Sequence, residues 1–142
     1  MAPSIRPRPL VSLRIPSGWA VVFNNFVEMD DPFTLTSDER DAYLAQDVLA
    51  LQTVSIGPDG AWSSSDDGLV LDVSWRPAAD PEGRYVVAIV RSSWEDVLLR
   101  FEHKDQVVAK NAIELSMHLL AEGYSPELAQ RALQDLEAVG DV

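Results

Sequence analysis

Apolar positions along this chain follow two periods, and the places where one gives way to the other divide it into segments. From Leu10 the runs are short and strand-like: Leu10 to Ile15 ends at the turn signal Pro16-Ser17-Gly18, and Trp19 to Glu28 follows with Trp19, Val21, Phe23 and Phe26 as its inward set across a bulge near Asn24-Asn25. These two runs predict a hairpin. Thr36-Ser37-Asp38-Glu39 then has the form of a capping box, in which the Thr hydroxyl accepts from the third helical N–H and the Glu reaches back. Leu44, Val48 and Leu51 recur behind it at helical spacing, predicting a helix of about three turns from near Ser37 to near Ala50.

Between Gln52 and Glu102 the period is two. Leu69, Leu71, Val73 and Trp75 alternate with Val70, Asp72, Ser74 and Arg76, and Val97, Leu99 and Phe101 alternate with Leu98, Arg100 and Glu102. Tyr85 to Val90 is apolar on both faces, which suits a central strand. Gly57-Pro58-Asp59-Gly60 and Asp80-Pro81-Glu82-Gly83 place Pro early and Gly last, so each should close an antiparallel pair. After Asp105, an N-cap candidate, the period returns to 3.6: Val108, Ala112, Leu115 and Leu119 form one row, and Ile113, Met117 and Leu120 another. Gly123 ends that helix, and Ser125-Pro126-Glu127 opens the next, with Leu128, Ala132, Leu133 and Leu136 facing inward and Gly140 as its stop. The expected fold is α+β, an antiparallel meander of five to seven strands packed by two or three helices, including a C-terminal helical hairpin. Residues 1–9 hold prolines and arginines that favour an extended arm, and 10–142 read as one domain.

Charge changes the picture more than composition does. There are 23 acidic against 11 basic side chains and a net charge of -12, with eleven acids from Glu28 to Asp72 opposed by Arg40 alone. Nucleic acid and anionic membrane surfaces are therefore disfavoured as ligands, and a basic protein is the permitted partner. The absence of cysteine removes disulfide scaffolds, thiolate metal sites and cysteine nucleophiles. No apolar run reaches the ~20 residues of a membrane span, and no leader pattern opens the chain, so a cytoplasmic protein is expected.

Candidate chemistry is sparse. Glu114, His118 and Glu122 recur every four residues on one helix and could hold a divalent ion, but no second element offers a matching ligand set, and a solvated helix face is the favoured account of them. His103 has no nucleophile beside it in the pattern, and both histidines are expected at the surface. Paired acids such as Asp30-Asp31 and Asp66-Asp67 sit in turn-like stretches where Asp is favoured for local hydrogen bonding. The reading is therefore no catalytic residue, no metal and no cofactor. Dense carboxylates on a rigid scaffold can imitate nucleic-acid phosphates and steer in a basic partner. On that argument Asp30, Asp31, Asp66 and Asp67 are the expected docking charges, with Trp62 in an exposed turn as the aromatic anchor.

One set of residues carries a family resemblance: Ile15-Pro16-Ser17-Gly18-Trp19, Asn24-Asn25-Phe26, Asp72 to Pro77, Asp80 to Tyr85, and Trp94 to Asp105. Over about residues 10–108 the chain resembles small bacterial immunity proteins of polymorphic or contact-dependent toxin systems. That resemblance implies a non-enzymatic protein without cofactor, whose partner is a cognate toxin domain. Two other classes fit the same composition, a chaperone or adaptor for a secreted protein and a small-molecule-binding or enzymatic domain; a deep polar pocket would favour the latter.

Overall fold

The period-two segments assemble into one antiparallel sheet, and the C-terminal helices cover it. In this computed structural model the described residues are 5–29, 31–56, 58–60, 62–64, 68–91 and 93–140. The elements run β1 (Trp19–Asn24), a single 3-10 turn (Pro32–Thr34), α1 (Ser37–Tyr43), β2 (Leu49–Ile56), β3 (Trp62–Ser64), β4 (Leu69–Arg76), β5 (Arg84–Arg91), β6 (Ser93–His103), α2 (Gln106–Ala121) and α3 (Pro126–Gly140). The strand order is β1-β2-β4-β5-β6, with β3 pairing the far end of β2. This is the expected α+β fold, with β5 inside the sheet and buried from Tyr85 to Val90.

Capping and turn chemistry act where the residue types predict. Thr36 Oγ1 accepts from Glu39 N and Glu39 Oε1 from Thr36 N, both at 3.1 Å, so the capping box starts α1. Asp105 Oδ1 accepts from Val107 and Val108 N at the start of α2. Gly123 ends α2 at φ 93°, with Tyr124 N donating to Leu119 O and Gly123 N to Leu120 O, the two bonds of a Schellman end. In the β4–β5 turn Gly83 N donates to Asp80 O at 2.9 Å and Trp75 Nε1 donates to the same carbonyl at 2.7 Å.

The core forms where rows from the sheet meet the helices. Leu51, Leu71, Val73, Trp75, Val87, Ile89, Leu99 and Phe101 pack with Ala112, Ile113 and Met117 of α2 and Ala129 and Leu133 of α3, all buried. Leu120 packs partly buried against the same cluster, while Leu128, expected inside, is exposed. Tyr85 stands edge-on to both Phe26 and Trp75, at centroid distances of 5.4 and 4.9 Å.

Four expectations fail for identifiable reasons. The predicted helix to Ala50 stops at Tyr43, because the next segment is drawn onto β4: Trp75 N donates to Ala45 O and Val48 N to Val73 O, both at 2.9 Å. Leu44, Val48 and Leu51 are all buried, but from a loop and a strand rather than one helix face. Leu10 to Ile15 forms a single bridge, Leu10 to Val27, instead of a strand, since Arg14 gives its backbone N–H to Glu114 and its carbonyl faces His118 Nε2 at 3.3 Å. The bulge in β1 falls between Val21 and Phe23, earlier than Asn24-Asn25, and leaves both side chains exposed. A further register shift beside Val90 turns Val97 outward while Leu99 and Phe101 stay inside.

The N-terminal segment lies against α1 through a buried carboxylate. Glu39 Oε2 accepts from Arg6 N at 3.3 Å and lies 3.5 Å from the Arg8 guanidinium, which sits over the Tyr43 ring. The Thr36 N–H, followed by the Arg6 N–H and the Arg8 charge, holds the Glu39 carboxyl below its ordinary 4.5 against the opposing effect of burial.

Candidate protein-docking surface

β1 is an edge strand with exposed apolar side chains, an uncommon arrangement at a sheet edge. The bulge makes it so. With one extra residue between the pairs Val21–Leu51 and Phe23–Ala50, Val21, Val22 and Phe23 are left 45, 60 and 46% exposed in succession. Phe23 opens onto a groove of about 200 Å3 shared with Asp47, Leu49, Ala50 and Asp72. The register explains why Asp72 reaches it: Phe23, Ala50, Asp72, Ala88 and Arg100 lie opposite one another across the five strands, so the carboxylate stands between two alanines. Desolvation, and then repulsion from Asp47, push the Asp72 carboxyl above its ordinary 3.8, against the pull of Arg76.

The carboxylates singled out from sequence are placed unevenly. Asp31 is exposed, and its Oδ1 caps the 3-10 turn by accepting from Phe33 N at 3.0 Å. Asp30, Asp66 and Asp67 lie outside the described residues, and so does the side chain of Trp62, whose backbone pairs with Ile56. Within the acidic stretch Asp38, Asp41, Asp47 and Asp59 are exposed, whereas Glu39 is used internally. Pattern reading missed Phe23, Asp47 and Asp72 as a group. The available signal was Asp72 itself, a carboxylate inside an otherwise apolar strand; nothing local places Asp47 beside it.

A second concavity meets β4 three residues further on, at Trp75. A cleft of about 910 Å3 opens where β5 begins, β6 ends and α2 starts, with Trp75, Tyr85 and His103 among its lining and Glu28, Lys104 and Lys110 contributing charges of both signs. Gln106 closes one wall, donating from Nε2 to Val27 O at 2.6 Å and to the Tyr85 hydroxyl at 2.9 Å. Burial pushes that hydroxyl up to about 12, so it keeps its proton at neutral pH. His103, expected at the surface, is only 7% exposed: its Nδ1 accepts from Asp105 N at 2.9 Å and its ring stacks on Phe101. Glu114 and His118 hold the Arg14 backbone, and among the described residues no three carboxylate or imidazole side chains converge as a metal site. No described helix is long and apolar enough to cross a membrane.

The chain matches no protein-family model, no curated protein and no solved structure.

Proposed function

We propose that this chain is a non-enzymatic, acidic binding protein acting in the bacterial cytoplasm, and that it neutralises a basic toxin domain by direct contact, as an immunity protein does. One observation carries the reading: an exposed aromatic, Phe23, shares a groove with Asp47 and Asp72 on a chain of net charge -12. An aromatic that can be desolvated, with like charges beside it, suits a partner that brings Lys or Arg. Asp30, Asp31, Asp66 and Asp67 are the docking charges this reading assigns from the sequence, with Trp62 as a second anchor candidate. The test is co-expression with the product of the adjacent gene. The reading expects a stable complex and protection of the host from that product; no complex and no protection would overturn it.

The cleft supports a second reading, binding of a small molecule over Trp75 and Tyr85. Saturable ligand binding abolished by Gln106→Ala but unaffected by Phe23→Ala would favour it.

A further inference from the structure

The two edges of the sheet are finished in opposite ways. At β6, α3 supplies a side chain that stands in for a strand: Gln130 Oε1 accepts from Arg100 N at 2.8 Å and Gln130 Nε2 donates to Arg100 O at 2.9 Å. That edge is closed at its centre. At β1 no described strand pairs with the outer side. Gly18 O accepts from Val54 N at 2.8 Å, so the antiparallel alternation turns the backbone N–H and C=O of Trp19 and Val21 away from the sheet. Around these outward groups sit Val21, Val22 and Phe23, and Trp19–Asn24 itself holds neither the lysine nor the proline that often guards an exposed edge.

We propose that the outer edge of β1 receives an extended basic segment of the partner as an added strand. Resting on the binding reading above, this specifies its mode. Backbone pairing runs along Trp19–Asn24, apolar side chains of the incoming strand cover Val21 and Val22, and one Lys or Arg crosses the face of Phe23 toward Asp47. The geometry allows it: two strand spacings, about 9.5 Å, separate an added strand from β2, a gap that an extended basic side chain and a carboxylate leaning toward it together span. Asp72 lies one strand further in and contributes field rather than contact. A second copy is the wrong occupant, because pairing β1 with itself would bring two such carboxylate pairs together on chains of net charge -12 each. Asp72 fits the same account, since a carboxylate raised by burial and by Asp47 is relieved when a cation arrives.

The probe is a short synthetic peptide alternating Val with Lys or Arg, titrated into the intact protein and followed by amide NMR and by fluorescence anisotropy. Saturable binding is expected, with shifts centred on Trp19–Asn24 and exchange of the Val21 amide slowed by about tenfold or more. Asp47→Lys should weaken binding by about fivefold or more, with a flatter salt dependence. Val21→Pro should abolish it; should that variant fail to fold, N-methylation of the peptide's alternate amides removes the same bonds from the other side and should do likewise. A Val/Glu peptide that binds equally well overturns the charge argument. Concentration-dependent dimerisation through the same amides overturns the choice of occupant. Shifts at Asp38 and Asp41 instead of β1, or no binding at millimolar peptide, overturn strand addition. In those last two outcomes the binding reading itself still stands or falls separately, on co-purification with the neighbouring gene product.

Discussion

Gly83→Ala offers a sharp check on the packing that sets the register of β4 against β5. Gly83 is glycine for want of space, not for backbone reasons: a Cβ there would sit 2.6 Å from Trp75 Nε1 and 2.7 Å from Arg76 O. Neither neighbour can easily yield, since the indole is fully buried and its N–H is held by Asp80 O. Forcing a methyl into a packed site costs about 1 to 3 kcal/mol. Displacing the indole leaves a buried donor without an acceptor, at about 1 to 3 kcal/mol more. Allowing for partial relaxation, the loss should be about 2 to 4 kcal/mol, a fall in Tm of roughly 6 to 15 °C for a chain of this size. Urea unfolding gives the free energy directly. Gly60→Ala is the internal control, because its Cβ would meet nothing within 4 Å and only its φ of 80° opposes substitution, at about 1 to 2 kcal/mol. Adding Trp75→Phe to Gly83→Ala should show positive coupling of about 1 kcal/mol, since the two changes share one clash. Gly83→Ala no worse than Gly60→Ala, or two additive changes, would refute the reasoning.

Other consequences can be checked on the same purified protein. Leu71→Ala, at a fully buried position of β4, should lose about 2 to 5 kcal/mol in urea unfolding by leaving a cavity. Asp72 is raised above 3.8, so its charged form opposes folding; Asp72→Asn should raise Tm at pH 7, and the gain should vanish as pH falls below that value. Glu39 has the opposite sign: lowered from 4.5, it stabilises above that pH and loses its contribution as pH falls through its folded value, so Glu39→Gln should lower Tm at pH 7 and progressively less in acid. Gln130→Ala should cost about 1 to 2 kcal/mol and increase aggregation in light scattering, because it reopens the β6 edge at Arg100.

Legibility in the sequence followed the range of the interactions involved. The capping box at Thr36, the Asp105 cap, the Gly123 stop and the Asp80 to Gly83 turn are settled by residues within a few positions of one another, and all were readable. The alternation of Leu71, Val73 and Trp75 was readable because a sheet with one packed face imposes it. Leu44, Val48 and Leu51 misled because spacings of four and three are ambiguous in a short apolar run, and backbone bonds from distant β4 decided between helix and strand. The β1 bulge was placed late for a similar reason: its position depends on the pairing with β2, which leaves no mark in β1 alone. The groove behind Phe23 was invisible because three antiparallel pairings, in particular registers, are needed to align Phe23, Ala50, Asp72 and Ala88.

Association kinetics across a salt series test the central claim most directly, with the adjacent gene's product as partner and wild type set against Asp41→Lys/Asp47→Lys. Both positions are exposed, so folding should be unaffected. An acidic surface that steers a basic partner predicts association slower by about tenfold at low salt in the double reversal, with a flatter dependence on ionic strength and little change in dissociation. Equal association rates for the two proteins at low salt would contradict it and leave the negative charge with solubility as its only role.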